Sequence, residues 1–268
     1  MTDRRATFPL IPRRPVTGMR IGGLRSARRV TGSEVAGSRP YRRGDDIRRI
    51  DRYASARLSA ATARDEFVVR EHYAEEATQV VIAVDARPTM SLFPKGFPWL
   101  RKPAAVAVAA RMITESAAEA RCVVSRASGL EELVARRRPL PPGAFVFLVS
   151  DFLAFPPDAA WAAALARRWD VVPVLVQDPT WEQSFPDAGG VVLPLAAADG
   201  ARARLVRFSR REARARKGEN EARLARILER FDALGLAPVR ISADDPLAVH
   251  AAFREWADQR RRGPRWLR

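Results

Sequence analysis

Three continuous apolar runs divide the middle of the chain. They span residues 78–84, 143–150 and 171–176, and each is rich in valine, isoleucine or phenylalanine. Runs of this length and composition are typical of central strands that are covered on both faces of a sheet. Asp85 directly follows the first run, and Asp151 directly follows the second. We therefore predict three central strands, two of which are followed by an acid.

Helical patterns separate these runs. One helix is predicted from about Pro103, because proline suits the first helical turn, and another from about Pro157. The apolar stripe of the first helix consists of Val106, Ala110, Ile113, Ala117 and Ala120. Strands that alternate with helices predict an α/β fold with a mostly parallel, Rossmann-like sheet and helices on both faces. Ligands of such folds bind at the carboxyl ends of the strands, where Asp85 and Asp151 are expected.

The pattern changes in the last third of the chain. Residues 190–195 and 204–208 flank a turn and predict a hairpin. A stripe of leucine, isoleucine and phenylalanine predicts a helix over residues 220–234, and Gly235 is expected to end it. This part of the chain therefore departs from the simple alternation of strand and helix.

Residues 37–57 interleave acids with arginines. The pattern is formed by Arg39, Tyr41, Gly44, Asp45, Asp46, Arg48, Asp51 and Arg57. Gly44 before Asp45 indicates a tight turn. The three aspartates can be interpreted as catalytic carboxylates, as metal ligands, or as members of an internal network of ion pairs and helix caps. The adjacent arginines favour the network, because a guanidinium group pairs readily with a carboxylate.

The same residues resemble the signature of a known family. The pieces that carry the resemblance are Tyr41-x-x-Gly44-Asp45-Asp46-x-Arg48-x-Ile50-Asp51, Ala56-Arg57, Val149-Ser150-Asp151-Phe152 and Asp178-Pro179. They are similar to domain of unknown function 58, a bacterial and archaeal family whose second half folds like a von Willebrand factor A domain. The resemblance implies an irregular signature region that precedes a domain of this A-like fold.

Composition and the resemblance together predict a division of the chain. We expect a flexible basic arm over residues 1–36 and a signature region over 37–76 that packs on the main domain. The A-like domain is expected over 77–262, and a basic tail over 263–268. Residues 122–143 look too few for the strand, loop and helix that usually lie there, so a shortened A-like domain is predicted.

The A-like fold is known for a metal site at the carboxyl edge of its sheet, built from Asp-x-Ser-x-Ser, a threonine and an aspartate. Asp85, Thr89 and Asp151 match this pattern, but Arg87 replaces the first serine. We therefore predict a degenerate site that holds no metal and no cofactor, with magnesium as the alternative. The Arg87 guanidinium group is expected to take the cation's place and to pair with Asp85, Asp151 or both, unless it points to solvent.

Composition narrows the functional classes. The net charge is +16, yet only Lys95, Lys102 and Lys217 are lysines, so the charge reflects either genomic composition bias or contact with a polyanion such as nucleic acid. One cysteine and two histidines exclude a zinc ribbon or an iron–sulfur cluster. No phosphate-binding loop of the P-loop type occurs, and no apolar run is long enough to span a bilayer. A cytoplasmic location is expected.

Members of the resembled family are often encoded beside AAA+ ATPases of the MoxR class. The resemblance therefore implies a non-enzymatic adaptor that acts with such an ATPase to remodel or mature another protein complex. One alternative is a nucleic-acid or polyanion binder driven by the positive charge. A second alternative is a metal-dependent hydrolase that uses Asp45, Asp46 or Asp85.

Overall fold

A computed structural model describes residues 6–13, 35–42, 47–62, 64, 66–72, 78–91, 100–195 and 204–263. The chain divides into two compact units. The smaller unit is Arg14–Thr78, and the larger unit combines Met1–Arg13 with Gln79–Arg268. The predicted basic tail, residues 263–268, lies outside the described residues apart from Gly263.

The smaller unit contains a strand pair and a helix. Strand β1 (Val35–Pro40) pairs antiparallel with β2 (Val68–His72), and helix α1 (Arg52–Thr62) lies between them in sequence. The Asp51 carboxylate begins α1, because its Oδ1 accepts hydrogen bonds at 3.1 Å from the backbone N–H groups of Tyr53 and Ala54. This is the usual role of aspartate at a helix N-cap.

The larger unit is built around a parallel sheet of five strands. Its elements in chain order are β3 (Gln79–Val84), α2 (Lys102–Glu119), β4 (Val123–Ala127), α3 (Leu130–Ala135), β5 (Phe145–Ser150), α4 (Asp158–Ala166), β6 (Asp170–Val176), β7 (Val192–Leu195), β8 (Arg204–Arg207), α5 (Arg210–Ala233), β9 (Val239–Ile241) and α6 (Pro246–Arg262). The strand order in the sheet is β4-β3-β5-β6-β9. The predicted α/β class is confirmed, and so is the hairpin, whose strands β7 and β8 pair antiparallel.

The two faces of β5 carry different side chains, as the alternation along a strand requires. Val146 and Leu148 belong to one core layer, which α3, α4 and α5 cover. Phe147 lies on the other face, where its ring contacts Phe253 and Trp256 of α6. Helix α2 packs beside α6 on that face. The sheet is therefore buried on both sides, which explains why its strands read as continuous apolar runs.

The expectation that residues 122–143 are too few for a strand and a helix is wrong. Residues 122–143 contain both a strand, β4, and a helix, α3. Strand β4 forms one edge of the sheet and is only partly buried, so its sequence VVSRA lacks the continuous apolar run that marks the central strands. Helix α3 has only six residues, too few to show a helical period.

Part of the predicted arm belongs to the core. Phe8 stacks on Phe253 with ring centroids 4.3 Å apart, and its N–H donates to Ser116 Oγ at 3.0 Å. Leu10 is fully buried. Residues 6–13 therefore form part of the larger unit rather than a loose extension, because their apolar side chains fill space beside α6.

Helix α5 starts ten residues earlier than the predicted position 220. Ser209 and Glu212 form a reciprocal capping box at its start. The helix ends as predicted at Gly235, whose φ of 62° is left-handed. Leu236 N–H donates to the Phe231 carbonyl at 2.8 Å, as in a Schellman motif.

Candidate functional site

The polar residues singled out in the sequence meet where the strand order of the sheet reverses. After β3 the chain forms β4 on one side of β3, and then β5 on the other side. Asp85 follows β3, while Ser150 ends β5 and precedes Asp151. The Asp85 N–H donates to the Val149 carbonyl at 2.9 Å and fixes the two strand ends together. Such a switch point at the carboxyl edge is the usual ligand site of an open parallel sheet.

Asp85 and Arg87 form the first charged pair at this edge. Arg87 Nε donates to both Asp85 carboxylate oxygens at 2.9 Å, and Arg87 Nη2 donates to Oδ2 at 2.5 Å. The Arg87 backbone N–H donates to Oδ1 at 2.9 Å, and the Ser150 hydroxyl donates to Oδ2 at 2.7 Å. Each Asp85 oxygen therefore accepts more than one hydrogen bond from the protein.

These contacts set the charge of Asp85. Burial of the carboxyl group raises its pKa, but the hydrogen bonds from Arg87 and Ser150 together outweigh burial. The pKa of Asp85 consequently lies below its ordinary value of 3.8. Asp85 is therefore an ion at neutral pH and is a poor candidate for a general acid or base, which needs a pKa near the working pH.

Lys102 forms a second charged centre beside the first. Its Nζ donates to Asp151 Oδ2 at 2.9 Å, to Glu182 Oε1 at 2.5 Å and to the Thr89 carbonyl at 3.2 Å. An ammonium group has three N–H donors, so these three acceptors satisfy it completely. Lys102 and Asp151 are both buried. Lys102 begins α2, and Asp151 follows β5, so the centre ties a helix start to a strand end.

The loop after β6 supplies Glu182 and is itself held by side chains. Gln177 Nε2 donates to the Asp151 carbonyl at 2.6 Å, and Asp178 Oδ2 accepts from the Leu100 N–H at 2.7 Å. The other carboxylate oxygen of Glu182 accepts from the Asp178 N–H at 2.9 Å. Burial raises the pKa of Glu182, and the neighbouring Lys102 ammonium group acts in the opposite direction.

The residues present do not fit the divalent ion that the resemblance implies. The Asp85 oxygens already bind Arg87 and Ser150, and Asp151 Oδ2 already binds the Lys102 ammonium group. A magnesium ion needs open oxygen ligands and would face two fixed cations here. Among the described residues, no group of three or more aspartate, glutamate, histidine or cysteine side chains is arranged to hold a metal.

A shallow cleft of about 400 Å³ opens beside the Asp85–Arg87 pair. Its lining includes Asp85, Arg87, Ser128, Glu131, Ser150 and Pro156. The Arg87 side chain is 38% exposed, whereas the Asp85 side chain is 8% exposed. The cleft therefore presents one face of a guanidinium group to solvent, with the Glu131 carboxylate at its rim.

The central part of the chain matches a family model described as protein of unknown function DUF58. The match covers residues 105–226. Over these residues the chain is similar to the DUF58 family. The matched segment runs from α2 into α5 and includes Asp151 and Glu182. No curated protein and no solved structure matches the chain.

The pieces within residues 37–57 that suggested DUF58 lie outside the matched segment, in the smaller unit, whereas residues 149–152 and 178–179 lie inside the matched segment. Gly44, Asp45 and Asp46 lie outside the described residues. Asp51 caps α1, and the Tyr41 N–H donates to the Phe67 carbonyl at 2.7 Å. The remaining signature residues that the structure describes are Arg39, whose Nη1 donates to the Pro40 carbonyl at 3.0 Å, and the exposed Arg48 and Arg57.

Sequence patterns predicted one of the two charged centres at this edge, the Asp85–Arg87 pair. The expected partner of Arg87 was Asp85, Asp151 or both, and the structure pairs it with Asp85. Thr89 contributes only its backbone carbonyl to the Lys102 centre. Lys102 and Glu182 were missed, although Lys102 is one of only three lysines in an arginine-rich chain. That rarity was a usable signal, because lysine and arginine are not interchangeable at a compact buried site.

The described helices of the chain include none that combines the length and apolar character required to cross a membrane.

Proposed function

We propose that this protein is a non-enzymatic adaptor that binds other proteins through the cleft at the carboxyl edge of its sheet. The observation that carries the proposal is the pairing of both strand-end carboxylates with side-chain cations, Arg87 on Asp85 and Lys102 on Asp151. These pairs tie the strand ends to neighbouring segments of the protein. It also leaves a guanidinium face and the Glu131 carboxylate at the cleft for polar contacts.

The chemistry of the edge supports a binding role. Ser150 Oγ donates to Asp85 and accepts from the Phe152 N–H at 2.9 Å, so its hydroxyl already has two partners. A serine nucleophile needs a base within hydrogen-bond reach. The described histidine of the larger unit, His250, instead contacts the Thr7 carbonyl at 2.8 Å. The polar groups that define the edge are thus engaged in holding other groups of the protein.

The partner that we propose is an AAA+ ATPase of the MoxR class, together with a client complex that the ATPase remodels. This part rests on the family resemblance. It is compatible with a von Willebrand A-like fold, which generally serves contact between proteins. A cleft between strand ends is also a common place for such a fold to receive a partner side chain.

Affinity capture from the native host tests the proposal. The tagged wild-type chain is compared with Glu131→Arg, which reverses an exposed charge of the cleft, and with Glu229→Arg, which makes the same change on an exposed site of α5. Mass spectrometry is expected to find an AAA+ ATPase with the wild type and with Glu229→Arg, but much less with Glu131→Arg. The proposal fails if no AAA+ ATPase is recovered with the wild type, or if Glu131→Arg captures it equally well.

A further inference from the structure

We infer that the β7–β8 hairpin and the start of α5 form a second docking surface, which binds an acidic, extended segment of a partner protein along β8. We call this the hairpin surface. It is formed by Val191, Val192, Leu205, Arg207, Arg210 and Arg211. The inference is independent of the cleft at the carboxyl edge and uses none of its residues.

The apolar part of the hairpin surface follows from the strand register. Val192 lies opposite Arg207, and Pro194 lies opposite Leu205, so these residues share one face of the hairpin. Leu193 and Leu195 lie on the other face and pack against a small core of Phe185, Phe208 and Ala213. The outer face therefore exposes large aliphatic side chains, with Leu205 76% and Val192 50% exposed. Adjacent exposed apolar side chains, rimmed by polar residues, mark interaction sites.

The charged part adjoins these aliphatic side chains along β8 and at the start of α5, although Arg204, which lies opposite Leu195, belongs to the other face of the hairpin. Its arginines are Arg204, Arg207, Arg210, Arg211 and Arg214, all of them exposed. None of the five makes an ion pair with a carboxylate within the described ranges. The one acid in the first turn of α5, Glu212, accepts hydrogen bonds from the Ser209 backbone and hydroxyl. The surface therefore carries unneutralised positive charge, which fits an acidic partner.

The position of the arginines within α5 increases the positive electrostatic potential of the hairpin surface. Arg210 and Arg211 are the first two residues of the helix, and Arg214 follows one turn later. The N-terminus of a helix already carries partial positive charge, so cations there cost stability rather than add to it. A bound anionic segment would offset this loss of stability.

The geometry of the hairpin favours an added strand. Within the described residues the sheet has only two strands, so both outer edges lack a further strand. The β7 edge contains Pro194, which has no N–H to donate, whereas β8 has no proline and all four of its residues are exposed. Arg204 and Arg207 protect this edge from strands of neutral or basic character, as charged residues commonly do. An acidic strand would satisfy them, which makes strand addition selective.

The composition of the surface argues against nucleic acid as its partner. None of the six residues that define the hairpin surface is aromatic, so bases would find no stacking platform. A phosphate backbone would also make no apolar contact with the exposed Leu205 and Val192 side chains. A strand of alternating acidic and aliphatic residues matches both the arginines and the aliphatic face.

Fluorescence anisotropy with a designed probe tests the inference. The probe is a labelled peptide of about ten residues that alternates glutamate and valine, a length within the usual range for strands. A control peptide replaces each valine with proline, which keeps the charge but prevents strand pairing. A short DNA duplex and vesicles of phosphatidylglycerol serve as competing anionic probes. All are measured against the full wild-type chain.

Four variants locate the binding. Leu205→Glu and Arg211→Glu change the hairpin surface, while Leu247→Glu and Arg254→Glu make the same changes at exposed positions of α6. The alternating peptide is expected to bind the wild type and both α6 variants, and to bind each hairpin variant at least about tenfold more weakly, a loss of about 1.4 kcal/mol. The proline peptide is expected to bind weakly throughout.

Three results would overturn the inference. The first is absence of peptide binding to the wild type. The second is equal weakening by the α6 variants, which would show a diffuse effect of net charge. The third is that the DNA or the vesicles bind more strongly than the alternating peptide and that Leu205→Glu does not weaken their binding. This result would show that the arginines bind a phosphate ligand. None of these results bears on the capture of an ATPase through the Glu131 cleft, so the two proposals fail separately.

Discussion

Each end of the parallel sheet carries an arginine–aspartate ion pair, but the two pairs differ in their exposure to solvent. At the amino edge, Arg260 binds both carboxylate oxygens of Asp170 at 2.9 Å, and each side chain is 6% exposed. At the carboxyl edge, Arg87 binds both oxygens of Asp85, but the Arg87 side chain is 38% exposed. Both are arginine–aspartate pairs with several hydrogen bonds. The difference is that the Arg87 pair faces a cleft, whereas the Arg260 pair is enclosed.

The amino-edge pair has a structural role that the surrounding contacts explain. Asp170 Oδ2 also accepts from the Arg13 backbone N–H at 2.9 Å, and Arg260 Nη1 also donates to the Ile11 carbonyl at 2.8 Å. The guanidinium group lies 4.5 Å from the centre of the Trp256 ring. The pair thereby joins the N-terminal segment, β6 and α6. Its partners enclose it, and little surface remains for another molecule.

The carboxyl edge shows what distinguishes a candidate binding site from a structural clamp. Lys102 is enclosed like Arg260, and its three donors are used within the protein. Arg87 uses Nε and Nη2 on Asp85, and the rest of its guanidinium face meets the cleft. Exposure separates the two roles, since charge and bonding are similar. The most direct tests remove one cation at a time.

Replacement of Lys102 should have the largest effect. Lys102→Met leaves the buried Asp151 carboxylate and the partly buried Glu182 carboxylate facing each other without their cation, and we expect a loss of about 3–5 kcal/mol in the free energy of unfolding. Urea denaturation followed by circular dichroism measures it. The double variant Lys102→Met/Asp151→Asn removes one of the opposed charges and should recover part of the loss. A loss below about 1 kcal/mol for the single variant would show that solvent reaches Asp151.

Arg260→Met is expected to cost somewhat less, about 3 kcal/mol, because Asp170 keeps the hydrogen bond from the Arg13 N–H after the arginine is removed. This change also frees the Ile11 carbonyl, so residues 6–13 should become more sensitive to limited proteolysis. Lys102→Met at matched stability serves as the control, since its centre lies at the opposite edge. Equal cleavage of the N-terminal segment in both variants would contradict the role assigned to Arg260.

The contrast between the edges also explains which charged residues could be predicted from the sequence alone. Asp85, Arg87 and Asp151 were found because each lies at or just after the end of a buried strand, where local pattern predicts position. Lys102 and Glu182 are 80 residues apart, and no local pattern links them. The amino edge was missed for the same reason, since Asp170 and Arg260 are 90 residues apart. Sequence periodicity places elements, but it does not report which side chains meet across them.

The start of α5 and the burial of the N-terminal segment differ from the prediction, although the sequence contains signals for both. The sequence SRRE at residues 209–212 is a capping box and marks the true start of α5. It was overlooked because the first turns of α5 are polar on every side and have no apolar stripe. The apolar Phe8 and Leu10 in the N-terminal segment likewise indicated burial, but the surrounding arginines and prolines suggested a loose chain.

Arg87→Ala should have the smallest effect on stability and the clearest dependence on pH. Because Arg87 is more than one-third exposed, solvent screens its charge, and we expect a loss of about 1 kcal/mol or less at neutral pH. The pKa of Asp85 in the folded wild type lies below its ordinary value of 3.8, since the bonds from Arg87 and Ser150 outweigh burial. A lowered folded pKa stabilises the protein above the unfolded pKa, and this stabilisation is lost as pH falls through the folded value. The difference in unfolding free energy between wild type and Arg87→Ala should therefore be full at neutral pH and shrink below 3.8.

Repeating the pH series in an Asp85→Asn background provides the control for this last variant. The asparagine side chain does not titrate, so the cost of Arg87→Ala in that background should be independent of pH over the acid range. If the cost still fell in acid when both chains of the comparison carry Asp85→Asn, another carboxylate would have to be the partner of Arg87. Asp151 and Glu131 would then be the candidates, because the charge of each carboxylate acts on Arg87. If Glu131 were the partner, the charged centre of the carboxyl edge would lie at the rim of the cleft, where a partner protein would compete for it directly.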